Sequence, residues 1–478
     1  MKSCNSKTAF ALAVTIATAA NVLRADVSAT VTSVQQNWPW DTRVRVTYEV
    51  SGGVCDVTPS LMFGGVSSLE IPQSGSLSFS DSKAYALRGD VYSVGPGTHV
   101  LEFDAARLAF PTNIAKPESM TGLSVSLEAK ETAFRKYLVV DLSSKPYAVS
   151  WLDDVPSGGW TTEYKTTKLV LARIPVYGGT TFDCGAPADE LGYVEGYEKI
   201  GRVTFTNDYY MGIFEVTQKQ WELVMGGVPT DISAADTADD KPAIYTSYKD
   251  FVGGAQDSGG EGWPVTSAVS PGSFVGILRA NATLPSCFFS GYKFYLPTDP
   301  QWEFACRGGV MATWYDGSDI SLSYDTALSG HRQQCDANLE RLAWYGHNTT
   351  ALQPVGRKLP NAYGLYDMIG NASEWSVSFV FAESTPVGTE PTGKRSYSAA
   401  TAANRSVRGG NYANFMYAST TYSPYKDINT ELGGSSENSI ITQRPSFHVR
   451  LDWDNRRAYV GSRVAIVYTR IAENVAAQ

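Results

Sequence analysis

From Asp26 to about residue 140 apolar and polar residues alternate with period two, broken by glycine-rich turns. In "RVRVTYEVSGG" Val44, Val46, Tyr48 and Val50 share one face, and "GPGTHVLEFDA" is another turn feeding an alternating strand. "PESMTGLSVSLEAKE" alternates as well, so no helix is predicted before it ends. The pattern predicts a small antiparallel β-sandwich of the immunoglobulin or fibronectin kind over residues 26–140, a module that positions or binds. A passage rich in Pro, Gly and Ser, residues 141–165, reads as a linker. Beyond it, short strands, two or three short helices and long loops are expected through residues 166–478.

Two of those helices carry strong punctuation. In "EVTQKQWELVMGG" Thr217 and Gln220 make a T-x-x-Q capping box, Trp221 and Val224 share a face, and Gly226 with Gly227 ends the helix. "LPTDPQWEFACRGG" repeats the device, with Thr298 as N-cap, Pro300 in the first turn, Gln301 at the box position and Gly308 with Gly309 as the stop. At the other end of the chain, Lys2 and Lys7 precede an apolar run to Leu23, and Leu23-Arg24-Ala25 offers a small residue at a cut. Residues 1–25 therefore read as an export signal. Thr15, Thr18 and Asn21 interrupt the run and leave it short of the roughly 20 apolar residues of a spanning helix.

Composition narrows the function classes. A chain of 478 residues holds two to four domains, and 43 % hydrophobic with 18 % charged residues argues against disorder or a coiled coil. A formal charge of −9 gives no footprint for phosphate backbones, so nucleic acid is not an expected partner. The four histidines are His99, His331, His347 and His448; no two stand at metal-ligand spacing, which excludes a locally built histidine centre. Six cysteines include no C-x-x-C pair. Cys306 with Cys335 could form a disulfide or remain thiols. "GTEPTGKRS" has P-loop glycine spacing but Arg395 where Ser or Thr is needed, and "DWDN" lacks the rest of an EF-hand loop. His347 has no evident sequence partner for work as a base.

Five motifs in order give the second region a specific resemblance. They are "IPVYGGTTFDCGAPADE", "YYMGIFEVTQKQW", "FYLPTDPQWEFACRGG", "NAYGLYDMIGNASEW", and "SVRGGNY" followed by "GSRVAI". Together they resemble the formylglycine-generating enzyme, or sulfatase-modifying-factor, family. The resemblance implies an α+β architecture: the N-terminal β-sandwich followed by a loop-rich, C-type-lectin-like domain. Active members oxidise a sulfatase cysteine with oxygen and a copper(I) ion held by two cysteines in R-G-G-S-x-x-C-x-x-x-x-C. Here Arg408, Gly409 and Gly410 match, but Asn411 stands for the serine and Asn414 and Ser419 for the cysteines. Copper(I) prefers thiolates, so copper is not expected. Ser373 replaces the first tryptophan of G-N-x-W-E-W.

The resemblance also implies calcium. One site would use Asp367, the carbonyls of Gly370 and Ala372, and Glu374; a second would use Asn338 and the carbonyl of Leu339. Tyrosines and asparagines after the R-G-G motif, Tyr412, Asn414, Tyr417, Tyr422 and Tyr425, either present a recognition surface or pack against their own loops. Two functions stay open. One is an exported, calcium-stabilised, non-catalytic binding or scaffolding module, secreted, periplasmic or on the cell surface, with a protein, peptide or glycan ligand. The other is an oxidoreductase related to formylglycine generation, or another metal-dependent oxidase.

Overall fold

A computed structural model describes residues 26–36, 43–63, 67–70, 76–79, 87–104, 123–176, 179–190, 193, 198–253, 269–289, 291–325, 333–379, 387–389, 404–413, 443–446, 448–452 and 454–468. The expected export signal, Asn414, Tyr417, Ser419, Tyr422 and Tyr425 lie outside them. The architecture is mostly sheet with few helices.

The alternation near the N-terminus becomes two antiparallel sheets. One orders the strands Ser28–Gln36, Arg43–Ser51, Gly97–Asp104 and Leu87–Gly89; the other orders Ser67–Glu70, Cys55–Phe63 and Leu123–Glu131. Val44, Val46, Tyr48 and Val50 all point inward, and with Leu101 and Phe103 they share one core with Cys55, Val57, Leu61 and Val125 of the second sheet. Burying those side chains drives the pairing, because each is worth about 1.5–3 kcal/mol when removed from water.

Residues 137–152 depart from the expected boundary. Tyr137–Asp141 and Ala148–Leu152 form a hairpin at one edge of a six-stranded sheet, followed in order by Lys168–Ile174, Tyr209–Gly212, Ala465–Tyr468 and Tyr292–Tyr295. Val139 pairs with both Ser150 and Val170. So the expected linker, 141–165, contributes a strand, and the last strand of the expected sandwich belongs to the second core. The physical reason lies in "YLVV", four consecutive buried residues. A strand covered on both faces loses the alternation by which its neighbours were grouped.

A two-stranded ribbon, Leu322–Asp325 with Gln333–Asp336, and two four-stranded sheets also lie in the second region. One orders Gly388–Thr389, Gly201–Phe205, Thr180–Cys184 and Ser76–Leu77; the other orders His448–Asp452, Asn404–Arg408, Ser373–Phe379 and Val460–Gly461. The helices are α1 (Glu163–Thr166), α2 (Gln218–Met225), α3 (Tyr248–Phe251), α4 (Phe274–Asn281) and α5 (Asp299–Arg307). Both expected capping boxes form: Thr217 with Gln220 on α2 and Thr298 with Gln301 on α5, each helix closing on a left-handed glycine, Gly226 or Gly308. Helix α5 is buried from Asp299 to Arg307, charges included, and it is the axis on which the polar interior is built.

Candidate polar centre beneath the R-G-G turn

Burying charge inside a core is costly unless each charge is paired, so the interior polar groups report what the fold invests in. Two ionic hubs flank α5. In the first, Arg463 Nε and Nη2 reach Glu374 at 2.6–2.8 Å, and Trp302 Nε1 donates to Glu374 Oε2 at 2.7 Å. Arg463 also donates to the carbonyls of Gly212 and Tyr366, tying three segments together. In the second, Glu303 Oε1 accepts from Gly185 N–H and from Arg307, while Oε2 accepts from Cys184 Sγ at 3.1 Å and Arg408 Nη2 at 3.3 Å. Arg408 opens the R-G-G turn and pairs with Asp299 as well.

The turn "YDMIGNASEW" sits beside the first hub. Asp367 and Asn371 both adopt left-handed backbone, φ 52° and 56°, which short polar residues tolerate. Gly370 must be glycine, since a Cβ there would lie 2.2 Å from the Trp344 carbonyl. Asn371 Nδ2 and Ala372 N–H both donate to Glu215. Gly356 N–H donates to Asp367 Oδ2 at 2.6 Å, while the buried Oδ1 has no hydrogen-bond partner. Burial first, then Asp367 and Glu374, push the Glu215 carboxyl well above its usual range. Burial also raises Asp367 to about 6.

The expected calcium ligands divide accordingly. Asp367 offers an open, buried oxygen of the hard type calcium takes, and three carboxylates, Glu215, Asp367 and Glu374, influence one another there. Glu374, however, is committed to Arg463 and Trp302, a guanidinium standing where the expected set had a cation. Among the described residues no group of three or more His, Cys, Asp or Glu side chains is arranged to hold a metal. Of the expected side chains only Asp367 leaves a buried oxygen open to a hard cation; Glu374 does not. At the second expected site the Leu339 carbonyl accepts from both Leu342 and Ala343 N–H, and the Asn338 amide donates to Asp319 O. That carbonyl closes a helical turn and is spent there.

Polar side chains bond to one another around the R-G-G turn. Asn411 Nδ2 donates to Ser373 Oγ at 3.1 Å, Ser373 Oγ donates to the Gly410 carbonyl at 2.8 Å, and Gln443 Nε2 donates to the Asn411 carbonyl at 3.2 Å. Thus two departures from the family pattern, Ser373 and Asn411, meet as partners. Tyr412 is 7 % exposed, stacked edge-on against Tyr459, and its hydroxyl donates to Asp236 at 3.3 Å. It packs the loop, the second of the two placements expected for it, and does not lie on an open ligand surface. Cys184 and Cys306 are free buried thiols, held protonated chiefly by burial. His347 finds Glu340, Nδ1 to Oε1 at 2.9 Å.

Glu215, Glu303, Arg408 and Arg463 were not singled out from sequence as hub residues. The available signal was their placement as lone charges inside otherwise apolar motifs, "IFEVT", "WEFAC", "SVRGG" and "SRVAI".

Residues 165–466 match the model of the sulfatase-modifying factor enzyme 1-like domain. The chain belongs to this family. The chaperone protein LppX of Paenibacillus barcinonensis is 24 % identical over 42 % of this chain and 76 % of its own length. The formylglycine-generating enzyme of Mycobacterium tuberculosis is 37 % identical over 17 % of this chain and 26 % of its own. The inactive C-alpha-formylglycine-generating enzyme 2 of Bos taurus is 33 % identical over 19 % and 28 %. The match thus spans about a quarter of the two formylglycine-generating relatives' length. Among solved structures, Treponema denticola variable protein 1 aligns with TM-score 0.39 at 19 % identity, over 63 % of this chain and 95 % of that one.

Proposed function

We propose that this protein is an exported, non-catalytic member of its family that binds a protein or peptide partner at the cell envelope, with calcium stabilising the family domain. The observation that carries the reading is the loss of soft ligands. Asn414 and Ser419 stand at the two copper positions, and no cysteine follows Cys335. The remaining described thiols nearby, Cys184 and Cys306, are buried and held protonated, whereas copper(I) binds thiolate. The relative named as inactive supports the reading, and the relative named as a chaperone supports a polypeptide partner.

In this reading the N-terminal unit is an immunoglobulin- or fibronectin-like sandwich and the family domain is C-type-lectin-like. The apolar run of residues 1–25 supports export, and among the described residues no helix is long and apolar enough to cross a membrane. Asn414, Tyr417 and Tyr422 provide the recognition surface, while Tyr412 anchors its base. Calcium binds Asp367 with the carbonyls of Gly370 and Ala372, neutralising the excess of carboxylates over Arg463. A glycan in place of a polypeptide is a partner of the same surface.

The second reading, formylglycine generation, is favoured by the identity to the mycobacterial enzyme. An oxygen-consumption assay on a cysteine-containing sulfatase peptide separates the two. The binding-module reading expects no oxygen uptake and an unmodified cysteine; turnover with conversion of that cysteine to formylglycine overturns it.

A further inference from the structure

The N-terminal unit does more than precede the family domain. Ser76–Leu77 pairs in parallel with Thr181–Phe182, outside the N-terminal sheets, and Leu77 is buried in the family-domain core. The next two residues continue the contact. Ser78 Oγ donates to Asp183 Oδ2 at 2.6 Å, Phe79 N–H donates to the same oxygen at 3.3 Å, and the Phe79 ring lies 5.0 Å beneath the Arg307 guanidinium. Immediately beyond Asp183, Cys184 and Gly185 hold the two oxygens of Glu303, and Glu303 holds Arg408 of the R-G-G turn.

A second contact fixes the unit in place. Arg173, 4 % exposed in a family-domain strand, donates to Asp56 Oδ1 and Oδ2 at 2.7 and 2.8 Å and to Ser93 Oγ at 2.8 Å, all in the N-terminal unit. Its Nε binds Asp208 of the family domain at 2.8 Å. One buried guanidinium bridging carboxylates from both units is a geometry-dependent clamp, because either carboxylate alone would leave the other uncompensated.

We propose that the N-terminal unit is a strut for the R-G-G turn. Leu77–Phe79 fixes the Thr180–Cys184 strand, the strand fixes Glu303, and Glu303 fixes Arg408, which sets Gly410, Asn411 and Tyr412 at the base of the proposed recognition surface. Asp56 and Ser78 are then positioning residues for a surface neither touches. The strut stands whether that surface binds a partner or turns over a substrate, so its test uses neither metal nor ligand.

Hydrogen exchange read by mass spectrometry on the full chain supplies the test, comparing the wild type with Asp56→Asn and Ser78→Ala. Each removes a hydrogen bond to a charged group, so segments 180–185 and 404–413 should exchange about tenfold faster or more, with 218–225 and 465–468 unchanged. Acceleration confined to the N-terminal strands 55–63 and 87–104 overturns the proposal. So does uniform acceleration that includes 218–225, which would report global stability alone. Should Asp56→Asn fail to fold, Ser78→Ala, which deletes one hydroxyl, decides by itself.

Discussion

Glu374 and Arg463 place opposite charges side by side with almost no solvent around them, each about 1 % exposed or less. Removing one partner leaves the other buried and unpaired, a loss of about 3–5 kcal/mol in comparable pairs. Arg463→Met should therefore lower the unfolding free energy measured by urea titration by that amount; a change under about 1 kcal/mol would show that the pair does not organise the hub. Asp367 has the opposite character. Its carboxyl is raised from 3.8 to about 6 in the folded state, so the native protein binds more protons than the unfolded chain across that window. Stability in cation-free buffer should fall as pH rises from about 4 to about 6, and Asp367→Asn should flatten that slope. Glu215, raised in the same direction, steepens it. Because calcium needs the ionised carboxylate, it should raise the melting temperature more at pH 7 than at pH 5, and not at all in Asp367→Asn. An equal calcium effect in the variant would remove Asp367 from the site.

At the scale of elements, what the sequence marks most sharply is the helix ends. Thr217, Gln220, Thr298 and Gln301 act in the structure as their spacing implied, because a capping box is a local device that needs four residues and no partner. Thr298→Ala should cost about 1 kcal/mol, measured by thermal unfolding, since Gln301 N–H then loses its acceptor in a buried setting. A neutral result would mean the cap is dispensable. The strand boundary near residue 140 was illegible for a matching reason. "YLVV" is apolar on both faces, and its membership in the second sheet depends on residues 168–174, which are not adjacent in sequence. The site is legible to the same degree. Asp367 and Asn411 stand out locally, whereas the pairing of Glu374 with Arg463 across 89 positions of chain does not, and it takes away a ligand that the motif alone assigned to calcium.

For the whole molecule, the two units are joined by a donated strand and a shared guanidinium rather than by a tether. Parallel addition at the Thr180–Cys184 edge also covers backbone groups that an exposed edge would present to other chains. The chain keeps the sheet-rich family domain with its R-G-G turn, and in the proposed reading amide and hydroxyl groups stand where copper thiolates would be. Ser373 and Asn411 show how the corner absorbs the change: a missing tryptophan and a missing serine are exchanged for one hydrogen-bonded pair.

That replacement is the central claim, and a copper(I) titration against a competing chelator tests it most directly, run on the wild type beside the double variant Asn414→Cys, Ser419→Cys. The account predicts no stoichiometric tight binding by the wild type and one equivalent bound by the variant, because only the variant supplies two thiolates. One equivalent of tightly bound copper on the wild-type protein would contradict it.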